Sequence, residues 1–383
     1  MRFTVAALTF GLAISAAACD KVDEEPTPDR PASTALPLKP KPHGTATSTA
    51  SAAHAPSDSA PRRVALDDHA MGTTVSIATF TTSTMSEEVV RPKLQKALDE
   101  IRRLQTLMTT WTDTSEISRI NAAAGKEAVA VGPETFEVIQ KSLWIGKESG
   151  GLFDISFEAM KGLWKFDEGA EEKIPSKEAI EKARKLIDYR QITVNEKART
   201  VKLEKPGMRI NLGGIAKGYA IDAAARVLKA EGIESFFAQA GGDLYVAGKK
   251  PDGSRFKVGI RDPRGKGATD YFALIEVEDH AFSTAGDYER TFVKDGKRYH
   301  HIIDPRTGYP ATASRSVTVW ARDAHTADAI DDAIFLLGPE KGLKLVESIE
   351  DCGAVIVDSN NKVWISKRLE DKVTVLRQPT DGI

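Results

Sequence analysis

The run Arg298-Tyr-His-His-Ile-Ile-Asp-Pro-Arg-Thr-Gly-Tyr-Pro310 leaves the backbone few paths. Pro305 fixes φ and has no N–H, Gly308 tolerates positive φ, and the Asp304 side chain can accept from the backbone just after it. The segment therefore closes a turn between two extended arms. It also carries chemistry, because His301 titrates near neutrality, Asp304 is an acid and Arg306 presents an anion-pairing fork. On these residues alone two readings stand open: a hairpin turn with half-exposed histidines, or one wall of a reactive site.

The remainder of the chain narrows the choice. Its 383 residues exceed what one small core needs, and 41% hydrophobic composition is ordinary for a globular protein. A net charge of −2 argues against a nucleic-acid partner and supplies no polybasic patch for lipid headgroups. Two cysteines and seven histidines exclude a zinc ribbon or a disulfide framework.

The N-terminus reads as an export signal. Arg2 precedes an apolar run from Phe3 to Ala18, shorter than the roughly 20 residues of a membrane span. The run ends Ser15-Ala16-Ala17-Ala18-Cys19, which resembles a lipobox, although Ala16 stands where Leu is usual. Residues 1–19 are thus a signal peptide with Cys19 as the lipidation candidate, and cleavage after Ala-x-Ala is the alternative. Asp20 behind the cysteine resembles the signal that retains lipoproteins in the inner membrane, so the expected location is lipid-anchored, on its periplasmic side. If Cys19 carries lipid, Cys352 has no partner and is expected to be a small buried residue. Residues 20–63 are rich in Pro, Ala, Ser and Thr without apolar periodicity, a disordered tether with a reach of about 35 Å.

The folded part is expected over 64–378. Val64 to Phe80 passes through His69-Ala-Met-Gly72 into an alternating strand. Ser86 can cap a helix with Leu94, Leu98, Ile101 and Leu104 on one face, ending at Met108. The polar loop beyond it carries Trp111, either core or a stacking platform. Pro133 opens another helix, Ile174 to Ile187 is a short charged one, and Ile192–Val194 with Thr200–Leu203 reads as a hairpin. Ile210-Asn-Leu-Gly213-Gly214-Ile-Ala-Lys217-Gly218 leads into a helix over Ala223–Ala230. A Gly-Gly pair before a helix leaves its first N–H groups open to an anion, with Lys217 adding positive charge. Phe236 to Gly248 reads as one strand broken by glycines, and further strands are expected over 256–260, 271–277, 316–320, 354–357 and 362–365. A helix over 327–338 carries Asp328 and Asp332 at i,i+4 with Asp331 beside them. Like charges at that spacing repel, so a cation is expected, and oxygen donors favour Mg²⁺ or Ca²⁺ over zinc.

Together these motifs resemble the ApbE family, the FAD:protein FMN transferases. The resemblance runs from about Ala70 to Gly338 through Met71-Gly-Thr73, Ser115-Glu-Ile-Ser-Arg-Ile-Asn121, Phe153-Asp154, the 210–222 run, Gly241-Gly-Asp243, Thr284-Ala-Gly-Asp-Tyr288, the His300–Gly308 run and Asp328-Ala-Ile-Asp-Asp332. It implies an α+β fold, a two-lobed T-fold-like duplication with mixed or antiparallel sheets and packed helices. It implies FAD as substrate, FMN moved to a threonine hydroxyl of a membrane or periplasmic target protein, and AMP released.

Carried over residue by residue, the resemblance places FAD contacts on Met71, Trp111, Leu152, Phe153, Asp154, Asn211, Lys217 and Ile302. The Mg²⁺ ligands fall on the Gly214 carbonyl, Asp328, Asp331 and Asp332, and the base on His301 rather than His300. Three departures stand out: Asp332 where Thr is usual, Ile155-Ser156 after Asp154, and Ala285 after Thr284. An FAD pyrophosphatase yielding FMN and AMP, and a non-catalytic FAD-binding lipoprotein, are the alternatives. Asp262 to Thr269 has the spacing of the family's target motif but lacks its two hydroxyl residues, so it is read as an ordinary loop and the target as another protein.

Overall fold

In a computed structural model, residues 60–166, 169, 171–267 and 269–383 are described. The signal peptide, Cys19 and nearly all of the tether lie outside the described residues. The rest is α+β, and its main sheet is an eight-stranded meander in which each strand pairs antiparallel with the next: β1 (Arg63–Ala70), β2 (Thr73–Phe80), β3 (Phe236–Ala240), β4 (Asp243–Ala247), β5 (His280–Gly286), β6 (Ser314–Ala321), β7 (Gly353–Asp358) and β8 (Val363–Ile365).

Both halves share one plan of strand pair, helical insertion and second strand pair. Between β2 and β3 lie α1 (Glu87–Met108), α2 (Glu116–Ala122), α3 (Pro133–Glu148), α4 (Lys177–Arg184) and α5 (Ala216–Ala230), and between β6 and β7 lie α6 (Ala324–Leu337) and α7 (Pro339–Ser348). The expected two lobes are therefore fused through β4 and β5 into one sheet.

Helices cover one face of this sheet. Val75, Ile77 and Phe236 point into a core shared with Leu94, Ile101, Leu228, Ile330 and Phe335. On the other face Ala78, Phe237, Leu244 and Val355 meet a small sheet formed by Phe256–Arg261, Tyr271–Val277 and Val373–Val375. Strands buried on both faces lose the polar alternation that marks a half-exposed strand. That is why 236–248 reads as one broken run, whereas Gly241-Gly242 turns between β3 and β4.

Several boundaries shift for physical reasons. Helix α5 starts at Ala216 rather than Ala223, because its small residues let it pack closely against α1 and α6. A Cβ at Gly218 would lie 2.6 Å from the Ala324 carbonyl carbon and 2.7 Å from Asp328 Cβ, so only glycine permits this crossing. Helix α6 starts at Ala324, where Asp323 accepts from the Thr326 N–H. Helix α4 is shorter than 174–187, capped by Ser176. Strand β5 and a hairpin of Thr291–Lys294 with Lys297–His300 have no counterpart in the sequence reading. Cys352 is buried, as expected.

The turn after His301 forms as its residues dictate. Ile303-Asp304 pairs with Tyr309-Pro310, the Gly308 N–H donates to the Asp304 carbonyl at 2.7 Å, and Gly308 has φ 75°. The Arg306 fork, however, is spent on Asp304, with Nη2 2.6 Å from Oδ2, so this acid and this cation serve the turn rather than a ligand.

Candidate active site

The site assembles around the N-terminus of α5. The preceding loop is folded by Asn211, whose Oδ1 accepts from the Gly213 N–H at 2.6 Å while its Nδ2 donates to Glu158 at 2.9 Å and Thr110 at 3.4 Å. The first turn of α5 then faces α6. Lys217 Nζ lies 3.0 Å from Asp328 Oδ1 and 3.0 Å from Asp243 Oδ2, and the Gly218 N–H donates to Asp328 Oδ2 at 2.8 Å. One turn further along α6, Asp332 Oδ2 would lie 3.2 Å from a Cβ at Gly214, and the Phe153 ring 3.5 Å from it. Any side chain at 214 would fill the space between that carboxylate and the helix start.

Four carboxylates thus crowd one ammonium. Burial pushes Asp243 up to about 7, with the neighbouring Asp328 adding to it, and burial pushes Asp332 up to about 6. Burial and then the charge of Asp332 raise Asp331 well above the carboxylate range. Ser283 Oγ lies 2.6 Å from both Asp243 Oδ1 and Asp331 Oδ2. A hydroxyl has one proton, so it donates to one of these carboxyls and accepts from the other, which is held protonated by its burial.

Asp331 is accordingly turned toward β5, with one oxygen on Ser283 and the other on the Asp332 N–H, and it does not face Gly214 beside Asp332. Among the described residues, no three His, Cys, Asp or Glu side chains are gathered as a chelating group. A dication here would rest on the Gly214 carbonyl, Asp328 and Asp332, with the substrate completing its shell. The hard oxygen donors and the excess of negative charge fit Mg²⁺.

A second wall carries the aromatic face. Met71 and Gly72 form the two-residue turn between β1 and β2, both with positive φ (55° and 72°), and the Met71 N–H donates to Gln105. A Cβ on Gly72 would lie 2.9 Å from the Trp111 ring, which lies against the turn and is 68% exposed. So large an exposed indole is not core. It is a platform beside the site, joined to Asn211 through its neighbour Thr110.

Arg290 links this wall to the histidines, with Nη2 3.5 Å from the Gly72 carbonyl and its own carbonyl accepting the His301 N–H at 3.1 Å. The two histidines differ sharply. His300 is buried, with Nε2 donating to the Ala311 carbonyl at 2.9 Å and Nδ1 accepting from the Ile302 N–H at 3.3 Å, so both ring nitrogens are occupied. His301 is half-buried and its Nδ1 has no partner. Burial, aided by His300 and Arg290, holds His301 down to about 3, which keeps the imidazole neutral and able to accept a proton.

Not every expected contact uses its side chain. Both Asp154 oxygens are engaged, Oδ1 by the Ser156 N–H and hydroxyl and Oδ2 by the Tyr189 N–H, and its carbonyl accepts the Phe157 N–H at 3.0 Å, so the residue shapes the loop. Leu152, Phe153 and Ile302 are buried and form apolar backing. The sequence reading missed Ser283, Arg290 and the ionic role of Asp243. Only Asp243 carried a signal, its place behind Gly241-Gly242.

Comparison with known proteins assigns the chain to a family. The ApbE family profile matches residues 71–356. An FAD:protein FMN transferase of Treponema pallidum is 32% identical over 303 residues, 75% of this chain and 83% of the relative, and one of Klebsiella pneumoniae is 31% identical over 81% of this chain and 89% of its own length. Among solved structures, the ApbE protein of Thermotoga maritima superposes with a TM-score of 0.73 at 32% identity, over 84% of this chain and all of that one. The flavin transferase ApbE of Vibrio cholerae gives 0.72 at 26% identity, covering 82% of this chain and all of its own. With the fold, the glycine-led helix and the carboxylates all in place, this chain belongs to the ApbE family.

Proposed function

We propose that this chain transfers FMN from FAD to a threonine hydroxyl of another protein and releases AMP, with Mg²⁺ required. The reading is carried by one observation: the Gly213-Gly214 turn ahead of α5, which has no side chain to fill it, faces an excess of buried carboxylate, with a partnerless histidine nitrogen on the adjoining wall. Such a site is arranged for a diphosphate and a cation together. Phosphoryl-type transfer asks mainly for positioning and charge neutralisation. Bound Mg²⁺ would supply that neutralisation from Gly214, Asp328 and Asp332.

The protein's own groups do the rest. Trp111 holds a flat ring of FAD, and Lys217 with the α5 N-terminus orients the diphosphate. The threonine oxygen forms a bond to the FMN phosphorus, the bond from that phosphorus to the bridging oxygen breaks, and AMP leaves. Nδ1 of His301 takes the threonine proton. A diphosphate nearby raises that low value, because an anion favours the imidazolium. The Asp262–Thr269 loop lacks the hydroxyl pair of the target motif, so the acceptor is a separate membrane or periplasmic protein, met by a chain tethered through Cys19 at the periplasmic face of the inner membrane.

The test incubates the chain, FAD, Mg²⁺ and a target bearing the threonine motif, then resolves products by mass. A target heavier by one FMN, formed with Mg²⁺ and not in EDTA, is the expected result. Free FMN and AMP alone would favour the pyrophosphatase, and unchanged FAD the binding protein.

A further inference from the structure

On the face of α5 opposite Lys217 by helical spacing, Tyr219, Asp222, Arg226 and Lys229 line a second cavity of about 740 Å³, closed by α3, β4 and the start of α6. Four cations face it: Lys141, Arg226, Lys229 and Arg322. Among the described residues, none of them lies within 4.0 Å of a carboxylate oxygen. Lys141 donates to Thr326 Oγ1 at 2.9 Å and Lys229 to the Tyr245 hydroxyl at 2.8 Å, while Arg226 and Arg322 donate to no described group.

The three carboxylates on the same wall are already engaged. Glu137 accepts from the Tyr219 hydroxyl at 3.1 Å, Asp222 accepts the Ala324 and His325 N–H groups at 2.9 Å each, and Asp323 caps α6 through Thr326 at 2.7 Å. His325 also lines the cavity, is 7% exposed, and leaves Nε2 without a partner. A buried imidazole nitrogen without a partner is a donor or acceptor awaiting a ligand. Trp144 completes the wall, its ring 4.8 Å below the Lys141 ammonium.

We infer that this cavity binds a phosphate-bearing small molecule of nucleotide size, with Arg226 and Arg322 on the phosphate, His325 Nε2 on a polar edge and Trp144 against a ring. A phosphate monoester carries about −1.5 to −2 at neutral pH, which suits four cations with no ion-pair partner within 4.0 Å better than a single carboxylate does. The planar forks of arginine match phosphate oxygens two at a time. A cavity of a few hundred Å³ lined by rings and a few polar groups is the usual form of a small-molecule site. None of these residues contacts Lys217, Asp328 or Asp332 through its side chain, so the ligand adds a second occupant to the protein and leaves the flavin site as described.

The test titrates AMP and, separately, inorganic phosphate into the full-length chain by calorimetry, with FAD and EDTA present so that the first site is filled and its own product AMP reads only the second. AMP is expected to bind, about tenfold or more weakly in the Arg226→Gln/Arg322→Gln variant, and unchanged in Trp111→Ala, which weakens the first site. Both arginines are exposed, so the double variant should unfold at the wild-type temperature, and Arg226→Lys/Arg322→Lys should recover part of the affinity. Binding to inorganic phosphate that is weaker than to AMP, with the difference lost in Trp144→Ala, assigns the ring to Trp144. No binding at millimolar AMP, or binding that survives the double Gln variant, overturns the inference. Equal affinity for AMP and phosphate overturns the nucleotide part of it.

Discussion

Replacing Lys217 by Met tests the electrostatics of the site most directly. Its ammonium is the one cation within ion-pair distance of the buried Asp243 and Asp328 among the described residues, 3.0 Å from each, and its side chain is 24% exposed. Met keeps most of the volume and removes the charge. Taking one partner from a buried ion pair costs about 3–5 kcal/mol, because the other charge stays desolvated and unpaired. The carboxylates can reduce that cost by taking up protons. Asp243 already stands near 7 with Lys217 present, and its folded value rises further without it. Groups whose folded pKa exceeds the unfolded value bind more protons when folded, so stability falls as pH rises through the window from about 4 to 7 and above. The variant should thus lose about 3–5 kcal/mol at pH 8 and clearly less at pH 6, read by urea unfolding at both. A loss below about 1 kcal/mol at pH 8, or an equal loss at both pH values, would refute the account of an overcrowded acidic cluster.

His301→Ala should lower the transfer rate by about 10²-fold or more with FAD binding kept, whereas His300→Ala should lower stability by about 1–3 kcal/mol; transfer lost only in the His300 variant would reverse the assignment. Trp111→Ala, at a position 68% exposed, should leave the unfolding temperature unchanged and weaken FAD about tenfold by equilibrium titration, and unchanged affinity would remove the platform. Gly218→Ala must push α5 off Ala324 and Asp328, which should cost about 1–3 kcal/mol and lower transfer, and a variant as stable and active as wild type would contradict the crossing. Cys19→Ala should move the protein from the membrane fraction to the soluble periplasm, and wild-type protein already soluble there would favour cleavage after Ala18.

The sequence by itself determined several features that depend on neighbours along the chain. The turn from Asp304 to Gly308, the helix from Glu87 to Met108 and the glycines before α5 all follow from local backbone rules, and the structure contains them. The i,i+4 placement of Asp328 and Asp332 follows from helical geometry alone. What distance along the chain conceals, only the tertiary structure decided. Lys217 meets Asp243 and Asp328 at sequence separations of 26 and 111, and Ser283 reaches Asp331 from strand β5. Trp111 became a platform because the β1–β2 turn, about forty residues away, stands beneath it. Asp154, Arg306 and Asp331 carried the right chemistry in the sequence, yet folding gave their carboxylates and guanidinium nearer partners. What a charged group does is set by the partners that folding gives it, and that is a property of the packed molecule rather than of the residue.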